Sequence, residues 1–337
     1  MAKVSVIGSG SWGTAVAVML AENGHQVTLW SYFQEESENL RIHKENQAFL
    51  PGVRIPDTVN YTCKFEDCVP ADLVICASPS HAMRKIAQGL KSVLPEGQIV
   101  LNISKGLEED SLKTLSQVLE EELPHCRIAV MSGPSHAEEV SRRMPTTNVV
   151  AAETEEIANR IQDIVMNERF RIYTNPDILG VELGGSLKNV IALCAGVLDG
   201  LGLGDNTKAA LITRGIVEMA RLGVAMGARE ETFHGLSGMG DLIVTCTSMH
   251  SRNRRAGILI GQGKTVEEAQ QEVKMVVEGV KSCRAAFALA KKMGVEMPIV
   301  EQAYQVLFQN LSPKDAISNL MLREKKHESE QAFLTKD

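Results

Sequence analysis

Over roughly the first half of the chain, short apolar runs alternate with stretches in which apolar positions recur three and four residues apart. Val4–Ile7, Val27–Leu29, Leu73–Ala77, Ile99–Ile103 and Ile128–Met131 are bounded by turn residues, as strands buried on both faces of a parallel sheet should be. Between the first two runs, Thr14–Asn23 has helical spacing, and Gly24 is placed to end that helix just past its C-cap. Ala82–Leu94 and Ser111–Leu123 predict further crossover helices. Val149–Ala152 and Arg171–Thr174 predict later strands on either side of a helix near Glu155–Met166. Strand and helix alternating in this way predict an α/β architecture with a doubly wound parallel sheet.

The pattern changes near Asn175-Pro176. From Ile178 onward the periodicity is helical only, over Ile178–Leu198, Lys208–Met226, Thr265–Val273, Ser282–Met293 and Ile299–Leu307. The organisation expected is therefore a sheet domain over residues 1–176, an all-α C-terminal domain over 177–325, and a polar tail over 326–337.

Charge and composition narrow the classes of function. A net charge of -7 argues against a nucleic-acid footprint. No uninterrupted apolar run approaches the roughly 20 residues of a bilayer span, and the glycines at 8, 10 and 13 break up any leader-like start. The seven cysteines are an odd set without a CxxC pair, which fits free thiols in a reducing cytoplasm. The eight histidines show no HxxxH or HExxH spacing, so no metal site is expected. Neither a GxxxxGK[ST] phosphate loop nor a GxSxG nucleophile turn is present.

Gly8-Ser9-Gly10-Ser11-Trp12-Gly13 is a GxGxxG set directly between a strand and a helix. In that context the first glycine permits a tight turn, and the second lets backbone approach a pyrophosphate. The third allows close helix–strand packing, while the helix N-terminus offers N–H donors. A ligand-free glycine turn is the weaker reading, and a Rossmann-type dinucleotide domain the stronger. An NAD-selective site usually carries an acid about 20 residues on. Here Thr28-Leu29-Trp30-Ser31-Tyr32-Phe33 holds neither an acid nor an arginine. Ser31 and Tyr32 could hydrogen-bond either cofactor, so NADH against NADPH stays open.

Lys188 lies in a helical segment whose neighbouring face is Val181, Gly184, Gly185, Ala192 and Ala195, with no carboxylate at the third or fourth position on either side. Glycines inside a helix cost roughly 1 kcal/mol each, so a close approach to this helix is implied. A desolvated lysine there could donate a proton to a ketone; the alternative is a lysine snorkelling to solvent. Ser104-Lys105-Gly106 and Gly133-Pro134-Ser135 follow two strands at the sheet edge where α/β ligands bind, although either could be a plain turn. His250-Ser251-Arg252-Asn253-Arg254-Arg255 opens a helix over Ala256–Gly261 and suits a phosphate, or else a solvated basic face. Asp241, after Gly238-Met239-Gly240, reads by itself as an N-cap rather than a catalyst.

Together these segments resemble the bacterial-type NAD(P)-dependent glycerol-3-phosphate dehydrogenases, from Val4 to about Leu320. The resemblance is carried by the glycine turn with Thr14-Ala15, Ile103-Ser104-Lys105-Gly106-Leu107, Ser132-Gly133-Pro134-Ser135 and Glu182-Leu183-Gly184-Gly185-Ser186-Leu187-Lys188-Asn189. Gly238-Met239-Gly240-Asp241-Leu242, Ser251-Arg252-Asn253-Arg254-Arg255 and Val277-Glu278-Gly279 complete it. It implies reversible reduction of dihydroxyacetone phosphate to sn-glycerol 3-phosphate, feeding glycerophospholipid synthesis. It implies Lys188 as the proton donor and acceptor, with Lys105, Gly133, Ser135, Asp241, Ser251, Arg252 and Asn253 at the substrate. Ser11, Trp12, Tyr32, Lys105, Ala137, Arg252, Val276 and Glu278 would meet the cofactor, beside Gly8, Gly10 and Gly13 of the turn. A homodimer is expected as well. Two departures stand out: Ser31-Tyr32, where relatives often carry arginine, and Ala256, where an aromatic is common. Rival readings are a hydroxy-acid dehydrogenase of similar build and a cofactor-sensing regulator without chemistry.

Overall fold

A computed structural model describes residues 1–274, 276–325 and 327–328. The predicted tail over 326–337 falls outside the described residues except for His327 and Glu328. The strands are β1 (Lys3–Ile7), β2 (Gln26–Trp30), β3 (Glu45–Asn46), β4 (Leu50–Arg54), β5 (Asn60–Thr62), β6 (Leu73–Cys76), β7 (Ile99–Asn102), β8 (Arg127–Ser132), β9 (Thr146–Ala152) and β10 (Phe170–Asn175). Between them run α1 (Ser11–Glu22), α2 (Gln34–His43), α3 (Met83–Leu90), α4 (Leu115–Glu122), α5 (Ala137–Val140) and α6 (Glu155–Val165). Gly24 follows the α1 C-cap with a φ of +84°, the role its position predicts.

The main sheet has the order β10-β9-β8-β7-β6-β1-β2-β5. Its six strands from β8 to β5 are parallel, and the order reverses beside β1, so a crevice opens where the carboxyl ends of β1 and β6 diverge. The doubly wound parallel sheet expected from the pattern is present, with one strand departing from it: β9 pairs antiparallel with β8. Only the four-residue α5 lies in that connection, too little for the helical crossover that a parallel neighbour requires. β10 does return parallel to β9, through the full crossover helix α6.

Segment 34–62 forms α2 and three strands that the hydrophobic pattern does not predict. Only Ser37 and Leu40 of α2 are buried, so its sequence carries almost no apolar period.

The second half is helical: α7 (Ile178–Gly200), α8 (Asp205–Ala225), α9 (Glu230–Phe233), α10 (Asp241–Thr247), α11 (Arg252–Gly261), α12 (Val266–Val273), α13 (Glu278–Met293), α14 (Pro298–Phe308) and α15 (Pro313–Met321). Of these, α9, α10 and α15 have no counterpart among the predicted helices, although Ser312 caps α15 and Pro313 occupies its first turn. The change of pattern at Asn175-Pro176 is the start of α7, whose N-cap Asp177 accepts a hydrogen bond from the Gly180 N–H at 2.8 Å. By length and apolarity α7 could cross a membrane. Instead 83% of its most apolar stretch is buried inside the protein, where it is the central helix of the second core.

Close packing explains the glycines of α7. A Cβ at Gly196 would stand 2.0 Å from the Arg254 carbonyl oxygen, and one at Gly257 would stand 2.0 Å from that of Leu193. Gly200 and Gly261 repeat this contact one turn on. The two backbones therefore touch, and that contact sets where the N-terminus of α11 stands on the cleft that Lys188 also lines. We expect Gly196→Ala to destabilise the fold by about 1–3 kcal/mol, the overpacking cost exceeding the gain in helix propensity. Urea denaturation measures it, and a neutral result would mean the crossing can open without cost.

Candidate active site

The crevice outside β1 and β6 continues into a cleft of about 1080 Å³ between the sheet and the helices. At its floor the glycine turn takes the conformation that a dinucleotide needs. Gly8 sits at φ +121°, where a Cβ would press within 2.7 Å of the Ala77 carbonyl oxygen. Gly13 is packed so that a Cβ would stand 1.9 Å from the Gly8 carbonyl oxygen, whereas Gly10 faces open space. Gly10 caps α1 without a side chain, and no acid occupies the first turn. The helix N-terminus is thus free to meet an anion. These features fit a dinucleotide pyrophosphate.

The lysine that spacing singles out is at the heart of the cleft. Lys188 is 5% exposed, lines the cavity, and donates from Nζ to Asp241 Oδ1 and, at 2.7 Å, to Thr245 Oγ1. The Thr245 hydroxyl donates to the Asp241 carbonyl oxygen at 2.6 Å, which leaves its lone pairs to receive the lysine. Two of the three ammonium protons are thereby committed, and the third can serve a ligand in the cleft. Lys105 reaches the other carboxylate oxygen of Asp241 at 2.6 Å and the Gly133 carbonyl at 3.1 Å.

Burial, and after it the Lys105 charge, push Lys188 down to about 7, although Asp241 acts in the opposite sense. For Asp241 itself burial favours the neutral acid, but the two lysines outweigh it and hold the carboxyl below its ordinary value. With all three groups ionised the cluster carries one net positive charge, where a developing oxyanion could form. His136, also on the wall, is pushed down to about 4, chiefly by burial and then by Lys188. It is therefore neutral near pH 7, and Lys188 is the acid poised in that range.

Asp241 is not the N-cap that a lone loop aspartate suggests. It is 1% exposed at the first position of α10, and its carboxylate serves the two lysines. The local sequence could not show this, because Lys105 and Lys188 are 136 and 53 residues away.

Two further residues, Glu182 and Ser186, hold the Lys105 loop in place, and neither has a role that motif or spacing assigns. Glu182, 2% exposed, accepts hydrogen bonds from Asn102 Nδ2 at 2.9 Å and from the Ser116 N–H at 2.9 Å. Ser186 Oγ accepts from the Gly106 N–H at 2.9 Å. Both side chains of α7 thus clasp the loop that carries Lys105. Gly185 makes room for the Ser132 hydroxyl, whose oxygen would stand 2.4 Å from a Cβ there.

Across the cleft, α11 presents its N-terminus. Ser251, 3% exposed, accepts from the Arg254 N–H at 3.2 Å as N-cap. The Arg252 guanidinium lines the cavity and makes no hydrogen bond among the described residues, which leaves all five donors open. Asn253 is different: its amide bridges Asn189 Oδ1 at 2.9 Å and the Gly279 N–H at 2.8 Å. Arg254 turns away to Asp199 at 2.7 Å. The basic cluster is thus divided among separate tasks rather than being one solvated face.

Ser135 and Ala137 line the wall, as do Ser11, Trp12, Tyr32, Val276 and Glu278. Glu278 also accepts from Ser80 Oγ at 2.9 Å, joining the helical half to the sheet half. Gly133 and Gly13 do not reach the cavity wall; one supports Lys105 through its carbonyl and the other packs under the turn. Ser31 is fully buried, its hydroxyl has no hydrogen-bond partner among the described residues, and it does not line the cleft, so it is not placed to hydrogen-bond a cofactor as its position in the sequence suggests. A smaller depression of about 480 Å³ beside α13–α15 has charged walls, with Lys291 paired to Glu301 and Arg323 to Glu296.

Comparison with known proteins agrees with this site. Residues 3–158 match the model of the NAD-dependent glycerol-3-phosphate dehydrogenase N-terminus, and residues 177–318 match that of its C-terminus. A glycerol-3-phosphate dehydrogenase (NAD(P)+) of Fusobacterium nucleatum is 54% identical over 97% of this chain and 99% of its own length. One from Desulfitobacterium hafniense is 55% identical over 99% of this chain and 95% of its own. The crystal structure of glycerol-3-phosphate dehydrogenase from Coxiella burnetii superposes with a TM-score of 0.92 at 36% identity, covering 96% of this chain and 99% of that one. With both halves matched in order and the lysine-bearing cleft between them, the chain belongs to the NAD-dependent glycerol-3-phosphate dehydrogenase family.

Proposed function

We propose that this protein catalyses the reversible reduction of dihydroxyacetone phosphate to sn-glycerol 3-phosphate with NADH or NADPH. The observation that carries the reading is the position of Lys188: buried and tuned near neutrality, between a dinucleotide turn and an unpaired arginine. A bound NADH or NADPH supplies the hydride. The first turn of α1, with Gly8 and Gly10, holds its pyrophosphate. Arg252 and the N–H groups at the start of α11 take the substrate phosphate, with Ser251 and Asn253 fixing that helix end. Lys188 hands its remaining proton to the substrate oxygen as charge develops there, and Lys105 adds positive field. Asp241 and Thr245 hold Lys188 in line. Ser135 shapes the wall beside the substrate and the Gly133 carbonyl supports Lys105 from behind it, while Ala137, Val276 and Glu278 close over the cofactor.

We further assign residues 1–176 to cofactor binding and 177–325 to substrate binding, in a cytoplasmic homodimer that supplies glycerophospholipid synthesis. The test of the reaction is oxidation of NADPH, and separately NADH, on adding dihydroxyacetone phosphate to purified protein. Folded protein that binds cofactor but oxidises neither would overturn it.

A pH prediction follows from the cluster. Reduction needs Lys188 protonated, so kcat/KM for the ketone should fall as pH rises through about 7. Alcohol oxidation, which needs the neutral amine, should rise over the same interval. Asp241 favours the ammonium form, so Asp241→Asn should move that limb to lower pH. An unmoved limb in Asp241→Asn would assign the titration to another group.

A further inference from the structure

The adenosine end of the cleft lies where β2 ends, and there the sequence offers Tyr32-Phe33 with no cation. The fold brings one from elsewhere. Lys85 lies on α3, just beyond the Ala77–Pro79 loop that follows β6, and lines the same cavity as Tyr32, Phe33 and Glu36. Its Nζ donates to the Tyr32 hydroxyl at 2.6 Å and stands 5.2 Å from the centre of that ring. In the sheet order, β2 and β6 flank β1, so Tyr32 and Lys85 reach toward each other from both sides of the glycine turn.

Other cations lining the cleft are placed for other work. Lys105 and Lys188 are bound to Asp241, while Arg252 and Arg255 on α11 and Lys274 at the end of α12 line the cleft from the helical half. His81 faces Lys281 at 3.1 Å. Lys85 is exposed on the sheet side and, among the described residues, its ammonium contacts only Tyr32, which a strong anion can share or displace. A carboxylate, Glu36, lines the same end beside Ser9 and opposes it.

We infer that Lys85, held at the cleft by Tyr32, is the specificity-determining residue that binds the 2′-phosphate of a phosphorylated dinucleotide. It does from α3 what an arginine at the end of β2 would do from the neighbouring strand. The inference rests on the dinucleotide reading of the cleft, and the experiment separates the two.

Calorimetric titration of the whole protein with 5′-AMP and with 2′,5′-ADP isolates the one phosphate in question. The native protein should bind 2′,5′-ADP more tightly than 5′-AMP. Lys85→Gln should weaken 2′,5′-ADP by roughly fivefold to tenfold, the scale of one lysine–phosphate contact at an accessible site, and leave 5′-AMP unchanged. Lys85→Arg should keep the preference, and added salt should shrink it in the native protein, because the pair is screened. Equal affinity of the native protein for the two nucleotides would mean that Glu36 prevails and overturn the inference. So would an equal loss for both in Lys85→Gln, which would make Lys85 a support for the Tyr32 wall. Failure of the native protein to bind either nucleotide would instead bring down the dinucleotide reading on which this one stands.

Discussion

Replacing Lys188 with alanine should lower kcat for dihydroxyacetone phosphate reduction by roughly a thousandfold, the scale expected when a positioned general acid is removed. NAD(P)H binding should survive, because the glycine turn is built from the other half of the chain. The fold should survive as well. Asp241, the carboxylate left behind, keeps its 2.6 Å ion pair with Lys105, so no buried charge is stranded. Initial rates from the absorbance of the reduced nicotinamide, with cofactor affinity from fluorescence quenching, separate the two effects. Near-normal turnover in folded Lys188→Ala would remove this residue from the acid role, and His136, neutral near pH 7, is not the group to replace it.

Arg252→Ala should act on binding more than on turnover. Its guanidinium hydrogen-bonds to no described residue, and burial lowers its pKa although Glu278 and Glu138 partly offset that cost. A phosphate supplies further compensation with charge-assisted hydrogen bonds. Such bonds are worth about 1.5–3 kcal/mol, so KM for dihydroxyacetone phosphate should rise roughly tenfold to a hundredfold. Dihydroxyacetone, which lacks the phosphate, is the control: native protein and variant should handle it equally poorly. A native enzyme that used both substrates alike would leave α11 without its phosphate, and a hydroxy-acid panel would become the next measurement.

Much of this site is legible in the amino-acid sequence. The glycine turn is readable because all its work is done by a local strand, turn and helix, and Gly8 and Gly13 are explained by contacts within or beside the same unit. Lys188 is conspicuous because its helix neighbours are small and apolar, and Gly184 and Gly185 do admit close neighbours, the Ser237 carbonyl and the Ser132 hydroxyl. The departure at Ser31-Tyr32 is visible too, but not its resolution. Ser31 turns inward, and a cation reaches Tyr32 from 53 residues farther along the chain.

Period, spacing and turn chemistry are enough for β1, β2, β6, β7 and β8 of the parallel sheet, the start of α7 at Ile178, the glycine turn, and a lysine without a local counter-ion. These are properties of short segments, and the backbone and near neighbours suffice to express them. The remaining features arise only when distant segments pack. Packing turned β9 antiparallel because its connection is too short for a crossover. It made Asp241 the partner of two lysines rather than a cap, and set Glu182 and Ser186 to hold the Lys105 loop. It gave the neighbouring Arg252 and Arg254 different tasks and carried Lys85 to the adenosine end. Each of these is a pairing of charges, hydrogen-bonding groups or surfaces from separate parts of the chain, and burial decides how strongly such pairs interact. No local pattern records which distant residue will fill a place, so only the packed molecule could show it.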